Sequence, residues 1–261
     1  MSTRDFITEL FCKVDDVMRE VPKDAQASLY PSEIVTLGLL FAIKGVGTRA
    51  YYRWIKRDGL SLFPHLPERT RLFRLFTTHR DWADRFLADP TVMGIADSYG
   101  IELVHPIREG RSEAQIGKKG KSNYRWIVGG KLCFVLNQKG QVVNWDAATA
   151  NVHDATFHTL IERLIDESVV LTDSGFHSKD GDPANMKICK RGTWNVRMVV
   201  ETVLSMLTVV SHLKKVGHRV WRYVAARLAY TVAAFNVLSQ WHGLTPDEDG
   251  NVHLSIAEFS L

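Results

Sequence analysis

The stretch VVLTDSGF, residues 169–176, ends an apolar run with a carboxylate, Asp173. A short β-branched apolar run bounded by polar residues predicts a buried strand. A charge at the edge of a core is costly unless something pairs with it. The stretch MGIADSYG, residues 93–100, repeats this form, because Asp97 closes an apolar run and Ser98 follows it. We therefore interpret the two aspartates as parts of one site.

Hydrophobic periodicity around these two stretches predicts an α/β protein. Helices are predicted over residues 5–21, 31–44, 48–57, 68–88, 154–167, 198–210 and 219–241. Strands are predicted on both sides of a turn at Tyr99-Gly100, in a hairpin around residues 138–140, and over residues 168–173, with a polar basic loop at 108–123. We expect a mixed sheet flanked by helices and preceded by a small all-helical region. The predicted domains are residues 1–90, 91–245 and a polar tail, 246–261.

Composition places the chain among ordinary globular proteins. Hydrophobic residues make up 45% of the 261 residues and charged residues 24%. No uninterrupted apolar segment is long enough to span a bilayer, and the N-terminus, MSTRDFITELF, meets acid too early for a signal peptide. The three cysteines match no zinc spacing. We therefore expect a cytoplasmic protein without membrane contacts.

The basic residues are unevenly distributed, although the net charge is only +4. Residues 44–80 hold nine Lys and Arg, residues 105–131 hold seven, and residues 187–230 hold nine against one acid, Glu201. Such clusters predict a polyanionic partner, of which nucleic acid is the commonest, and the alternative is a set of solvated faces. The predicted third and fourth helices carry several of these Arg residues, so they are candidates for a helix-turn-helix-like reader.

Asp97, Asp173 and Glu201 are the candidate catalytic and metal-binding residues. Two carboxylates on neighbouring strands repel each other unless a cation lies between them, and Mg²⁺ needs one or two protein carboxylates per ion. On its helix Glu201 belongs to a narrow polar stripe with Arg197 and Thr208, beside an apolar face that should pack on the sheet. The alternative is a simple Arg197–Glu201 pair within the helix. Three carboxylates from two strands and a helix indicate a two-metal phosphoryl-transfer site.

Several motifs, in order, resemble those of DDE transposases of bacterial insertion sequences. These are IADSYGI around Asp97, NVHDA at 151–155, VVLTDSGF around Asp173, RMVVETVLSML around Glu201 and AAFNVL at 233–238. The N-terminal SEIVTLGLLFAIKGVGTRAYYRWIKR and LFPHLPERTRLFRL resemble the helical region that precedes the catalytic domain. The resemblance covers roughly residues 30–240.

The resemblance implies a ribonuclease H-like catalytic domain that cleaves and joins DNA strands with two Mg²⁺ (or Mn²⁺) ions held by the three acids. It implies that terminal inverted repeats and target DNA are the partners, with at least a homodimer on DNA, in the bacterial cytoplasm at the nucleoid. We expect DNA contacts from a set of basic and aromatic residues: Arg69, Arg71, Arg74, Lys118, Lys119, Lys121, Arg125, Trp194, Arg197, Lys214 and Lys215.

Spacing refines the resemblance. Asp173 follows Asp97 by 76 residues and Glu201 follows Asp173 by 28, which leaves no room for the β-rich insertion that some relatives carry before their Glu. We therefore expect a compact type. Three positions depart from the family pattern, because Phe176 and Trp194 stand where Tyr is usual and Thr208 where Lys is usual.

Two other functions remain compatible with these residues. One is a ribonuclease H-like nuclease that cannot join DNA ends. The other is an inactive or domesticated derivative that only binds DNA. Strand-transfer and cleavage assays separate both from a transposase.

Overall fold

The computed structural model describes residues 2–113, 115–122, 125–189, 196–213, 216–241, 243–244, 248, 254–259 and 261, with the backbone alone at residues 196–198 and 257. It contains seven α-helices among these residues: α1 (Thr3–Met18), α2 (Pro31–Lys44), α3 (Thr48–Asp58), α4 (Arg69–Thr78), α5 (His158–Glu162), α6 (Val196–Val209) and α7 (Trp221–Ser239). The helices expected near both termini are therefore confirmed, whereas the one expected over 154–167 is a short α5 preceded by a 3-10 turn.

The strands form one mixed sheet. They are β1 (Met93–Val104), β2 (Lys118–Ser122), β3 (Arg125–Asn137), β4 (Val142–Thr149), β5 (Val169–Thr172) and β6 (Met186–Ile188). Their order is β2-β3-β1-β5-β6, with β4 also paired to β3. β1 runs antiparallel to β3 and parallel to β5, and β5 runs parallel to β6. The prediction of a ribonuclease H-like mixed sheet flanked by helices is confirmed.

β1 is a single twelve-residue strand, so the predicted turn at Tyr99-Gly100 is wrong. The thirteen residues of β3 keep pairing with β1 beyond this point, since Gly100 is opposite Lys131 and Ile101 opposite Gly130. Gly100 serves a close approach instead, because a Cβ there would lie 2.5 Å from the Ser122 Oγ of β2. Asp97 consequently lies in the middle of its strand rather than at a strand end.

The basic loop predicted at 108–123 is wrong for its last part, which is strand β2. Lys118 pairs with Gly129 and Ser122 pairs with Arg125 across the β2–β3 ladder. Gly120 makes this packing possible, because a Cβ there would overlap the carbonyl group of Ala150. The lysines of β2 are therefore held on an edge strand.

The two faces of the sheet are covered by different elements. One face packs on α6, α7 and the N-terminal helices through a continuous cluster of buried side chains that includes Ile101, Phe134, Leu207 and Phe235. The opposite face packs on α5 through a smaller cluster that includes Ala96, Val135 and Leu160. Successive side chains of β1 alternate between these faces. Asp97 lies on the face of α6, and Ser98 on the face of α5.

Helix α7 connects the N-terminal helices to the sheet. The buried Arg227 guanidinium donates hydrogen bonds to the carbonyl oxygens of Phe41 and Ala42 at the end of α2, at 2.5 and 3.1 Å. Burial lowers the pKa of Arg227 to about 10, so the side chain stays charged at neutral pH. The domain boundary near residue 90 coincides with the start of the sheet and stays a prediction.

Among the described helices, none is long and apolar enough to cross a membrane alone, although α2 and α3 meet that criterion as a bent pair.

Candidate active site

Asp97 and Asp173 lie level with each other on neighbouring strands. The β1–β5 ladder pairs Gly94 with Val170 and Ile95 with Leu171. Continuing this parallel register by two residues brings Asp97 opposite Asp173, which follows β5 directly. Adjacent strands lie about 4.8 Å apart. The 76-residue interval in the sequence is thus also the register offset of the two strands.

Backbone N–H groups hold both carboxylates locally. The N–H of Ser98 donates to Asp97 Oδ1 at 2.7 Å. The N–H of Gly175 donates to Asp173 Oδ1 at 2.8 Å, so Asp173 caps the 3-10 turn that follows β5. This turn is anchored by Phe176, whose ring is 1% exposed and belongs to the core on the α5 face. The apolar ring explains why Phe fits here without a hydroxyl group.

A third aspartate, Asp154, lies beside this pair. The hydroxyl of Ser98 donates to Asp154 Oδ1 at 2.7 Å, and the ammonium of Lys131 donates to the same oxygen at 2.8 Å. The side chains of Lys131 and Asp154 are only 13% and 22% exposed. Lys131 therefore fixes the position of the Asp154 carboxylate in a partly buried network, and Ser98 connects this network to β1, the strand of Asp97.

Gly175 leaves space between Asp154 and Asp173. A Cβ at this position would lie 2.9 Å from Asp173 Oδ1 and 3.0 Å from Asp154 Oδ2. Both carboxylates consequently flank one small volume next to the turn. A side chain at this position would therefore push one of these carboxylates aside.

Burial and the negative charges of the site raise the pKa of a core cysteine, Cys133. Burial, and then the charges of Asp154 and Asp97, raise the pKa of the Cys133 thiol well above its usual range. The thiol therefore stays protonated.

Helix α6 places Glu201 on the same face as Asp97. The hydroxyl groups of Thr208 and Tyr99 are 3.2 Å apart, and Tyr99 shares the face of Asp97 by strand alternation. At its start α6 lies near the β3–β4 turn, since a Cβ on Gly140 would be 3.4 Å from Val199 Cγ1. Seven residues separate Glu201 from Thr208, which is nearly two full turns, so both project from one side of α6.

Burial supports this orientation of α6. The residues expected on its apolar face are buried in the core shared with the sheet, namely Val200, Val203, Leu207 and Val210. Glu201 is exposed at the edge of that face. Thr208, at the position where Lys is usual, makes a contact with the sheet through Tyr99.

The donor atoms of the three candidate acids suit a divalent cation. Asp97, Asp173 and Glu201 offer only oxygen atoms, which are the ligands that Mg²⁺ and Mn²⁺ prefer. Within the ranges that the structure describes, no three His, Cys, Asp or Glu side chains are close enough together to hold one ion. Each of the two aspartates accepts a hydrogen bond from a nearby backbone N–H group. Two level carboxylates fit the small number of protein ligands that Mg²⁺ takes.

The basic residues expected to contact DNA fall into two described groups. Lys118, Lys119 and Lys121 are exposed on β2, and Arg125 is exposed at the start of β3. Lys119 pairs with Glu109 at 3.1 Å and Arg125 with Glu102 at 3.7 Å. This basic edge begins close to Gly100, three residues along β1 from Asp97.

The second basic group lies on α4. Arg71 and Arg74 are exposed, whereas Arg69 is half-buried at the first residue of the helix. The remaining residues of this prediction are Trp194, Lys214 and Lys215, which lie outside the described residues, and Arg197, whose backbone alone is described within α6.

The family model described as "Transposase DDE domain" matches residues 87–184 of the chain. These residues are thus similar to a transposase DDE domain. The matched segment contains β1 to β5 and with them Asp97, Asp154 and Asp173, and it ends before the helix of Glu201. Searches of curated proteins and of solved structures found no match.

Sequence reasoning missed two residues of the matched segment, Asp154 and Lys131. The NVHDA motif contains Asp154, so the signal was present, but its partners Ser98 and Lys131 lie on other strands. Such a contact depends on the β1–β3 pairing.

Proposed function

We propose that the chain is a DNA transposase that binds the terminal inverted repeats of an insertion sequence and cuts and joins DNA strands. The proposal rests above all on one observation. The β1–β5 register brings Asp97 level with Asp173 inside a transposase DDE domain, beneath a helix that carries Glu201.

In this proposal Asp97, Asp173 and Glu201 hold two Mg²⁺ (or Mn²⁺) ions. When bound, such ions supply activation of the attacking water or 3′-hydroxyl and stabilise the leaving oxygen of an in-line displacement. The chain's own residues hold the carboxylates in place and keep the site open. Lys131 and Ser98 fix Asp154 beside the pair, and Gly175 keeps the space next to Asp173 open.

DNA is held by the basic surfaces around the site. The lysines of β2 and Arg125 form an edge that begins near the carboxylates and is suited to phosphate oxygens. The N-terminal helices supply a second basic surface for the ends of the element. Two ends must be brought together before joining, so we propose at least a homodimer on DNA, acting in the bacterial cytoplasm at the nucleoid.

The proposal is tested by cleavage and joining with the full chain. The substrate is a plasmid carrying the gene with its flanking DNA, and pre-cut ends measure joining. We expect Asp97→Asn, Asp173→Asn and Glu201→Gln each to lower Mg²⁺-dependent cleavage about 1000-fold, because loss of one ligand removes several kcal/mol of charge stabilisation. Binding of the ends should persist.

Matched controls are Asp166→Asn and Glu162→Gln, which remove exposed acids of the DDE domain away from the site. Both should cut at the wild-type rate. Wild-type cleavage by any variant of the three acids would contradict the assignment. Cutting without joining of pre-cut ends would indicate a nuclease, and binding without any cutting would indicate a derivative that only binds DNA.

A further inference from the structure

Helices α2 and α3 have the geometry of a helix-turn-helix. Their axes meet at 118°. The connection is the three-residue turn Gly45-Val46-Gly47, in which Gly45 has the left-handed backbone conformation, φ 65°. Helices at about 90–120° joined by a short glycine-containing turn define this motif. The pair suggested by sequence, α3 and α4, is connected by residues 59–68, a segment too long for such a turn.

The first helix of the pair is fixed in the core, and it holds the second. Twelve of the fourteen residues of α2 are buried. Tyr51 of α3 donates its hydroxyl hydrogen to the carbonyl oxygen of Leu37 at 2.7 Å, and its ring lies 5.1 Å from that of Phe41. Tyr51 and Ile55 are both fully buried. The side of α3 that carries Tyr51 and Ile55 is therefore packed on the core, and the opposite side of the helix faces solvent.

That opposite side is basic and exposed. At 100° per residue, Arg49, Arg53 and Lys56 fall within a sector of about 60° opposite Tyr51 and Ile55. All three are exposed. No ion pair found in the described part of the chain includes any of them, whereas Arg57 is paired with Asp58 at 2.6 Å. A row of like charges without acidic partners favours a polyanion.

We propose that α3 is the recognition helix of this protein, which enters the major groove of duplex DNA and reads base edges with Arg49 and Arg53. A helix with its side chains is about 10–12 Å across, which fits a major groove about 12 Å wide. Arg is the side chain that pairs with guanine through two hydrogen bonds. The exposed Arg71 and Arg74 of α4 contact phosphates only. This inference rests on the proposed function for its ligand, DNA.

Selection from a pool of random 25-base-pair duplexes tests the proposal, with the full chain and EDTA present so that cutting plays no part. Arg53→Lys keeps the charge but loses the planar fork. We expect it to reduce the preference for guanine at a selected position at least about tenfold, the low range for one bidentate contact. Binding to a mixed-sequence duplex and its salt dependence should stay unchanged. Arg49→Lys provides a second, independent variant on the same face.

The matched control is Arg163→Lys, an exposed arginine directly after α5, which should keep the selected sequence and the affinity. Circular dichroism melting verifies that each variant is folded. A wild-type preference in both α3 variants, or no sequence preference in the unaltered chain, would overturn the inference. Cleavage by the Asp97 and Asp173 variants is measured separately, so a failure here and a failure of the proposed catalytic site are distinguishable.

Discussion

At the residue scale, Gly175 controls how closely other atoms approach Asp173. The position that a Cβ would occupy lies 2.9 Å from Asp173 Oδ1 and 3.0 Å from Asp154 Oδ2. We predict that Gly175→Ala lowers strand cleavage about 10- to 100-fold, because displacement of a reacting group by about 1 Å has effects of this size. The measurement is the initial rate of cleavage with saturating Mg²⁺.

The control for this variant is Gly217→Ala, where a Cβ would meet nothing within 4 Å. It should cut like the unaltered chain. The melting temperature of Gly175→Ala should change little, since the displaced carboxylate of Asp173 is exposed. An unchanged cleavage rate in Gly175→Ala would show that the space between the two carboxylates is not used.

Individual residues differ in how far the sequence predicts their positions. Asp97 and Asp173 were identifiable because each follows an apolar run, and their level placement follows once the two strands pair in parallel. Asp154 was not identifiable, because it accepts hydrogen bonds from Ser98 and Lys131, which lie 56 and 23 residues away along the chain. The pairing of distant strands creates that network.

At the element scale, α7 is attached to the sheet through Asn236. Its side-chain oxygen accepts from the N–H of Val142 at 2.9 Å, and its amide group donates to the carbonyl oxygens of Val142 and Phe86 at 2.7 and 2.9 Å. Asn236 is fully buried. Its three hydrogen bonds thus satisfy backbone groups at the start of β4 and before β1.

We predict that Asn236→Leu lowers the free energy of unfolding by about 3 kcal/mol, because buried backbone groups lose their partners. Urea unfolding measures the change. The control is Gln240→Leu, an exposed position at the end of the same helix, which should shift stability by less than about 0.5 kcal/mol. A loss of similar size in both variants would argue against the specific role of Asn236.

Elements with a strong local pattern were predictable, and those determined by neighbours were not. α6 and α7 carry apolar residues at helical spacing, and the structure confirms them. β2 has a polar, glycine-containing sequence, KKGKS, and becomes a strand only because β3 offers an edge to pair with. β1 continues through Gly100 for the same reason, since β3 extends alongside it.

At the scale of the whole molecule, the sheet and the N-terminal helices share one core. A continuous cluster of buried side chains runs from α1 to α7 and reaches β1 and β3. Arg227 on α7 binds the end of α2, the helix that orients α3. In the proposed transposase, the helix that reads DNA ends is therefore held by the same helix that packs on the catalytic sheet.

The change in periodicity near residue 90 predicts a helical N-terminal region followed by an α/β region. The choice of α2 and α3 as the helix-turn-helix was not predictable in this way. It depends on the 118° angle and on the burial of Tyr51 and Ile55, which are consequences of packing between helices.

The central claim is that Asp97, Asp173 and Glu201 together bind two divalent cations, and Mn²⁺ binding to the full chain tests it most directly. A Mn²⁺ titration of the full chain, monitored by electron paramagnetic resonance, gives the affinity for Mn²⁺ without any requirement for DNA. We predict that Asp97→Asn, Asp173→Asn and Glu201→Gln each weaken Mn²⁺ binding at least about tenfold, while Asp166→Asn leaves it unchanged. Equal Mn²⁺ affinity in all four variants and the unaltered chain would contradict the account.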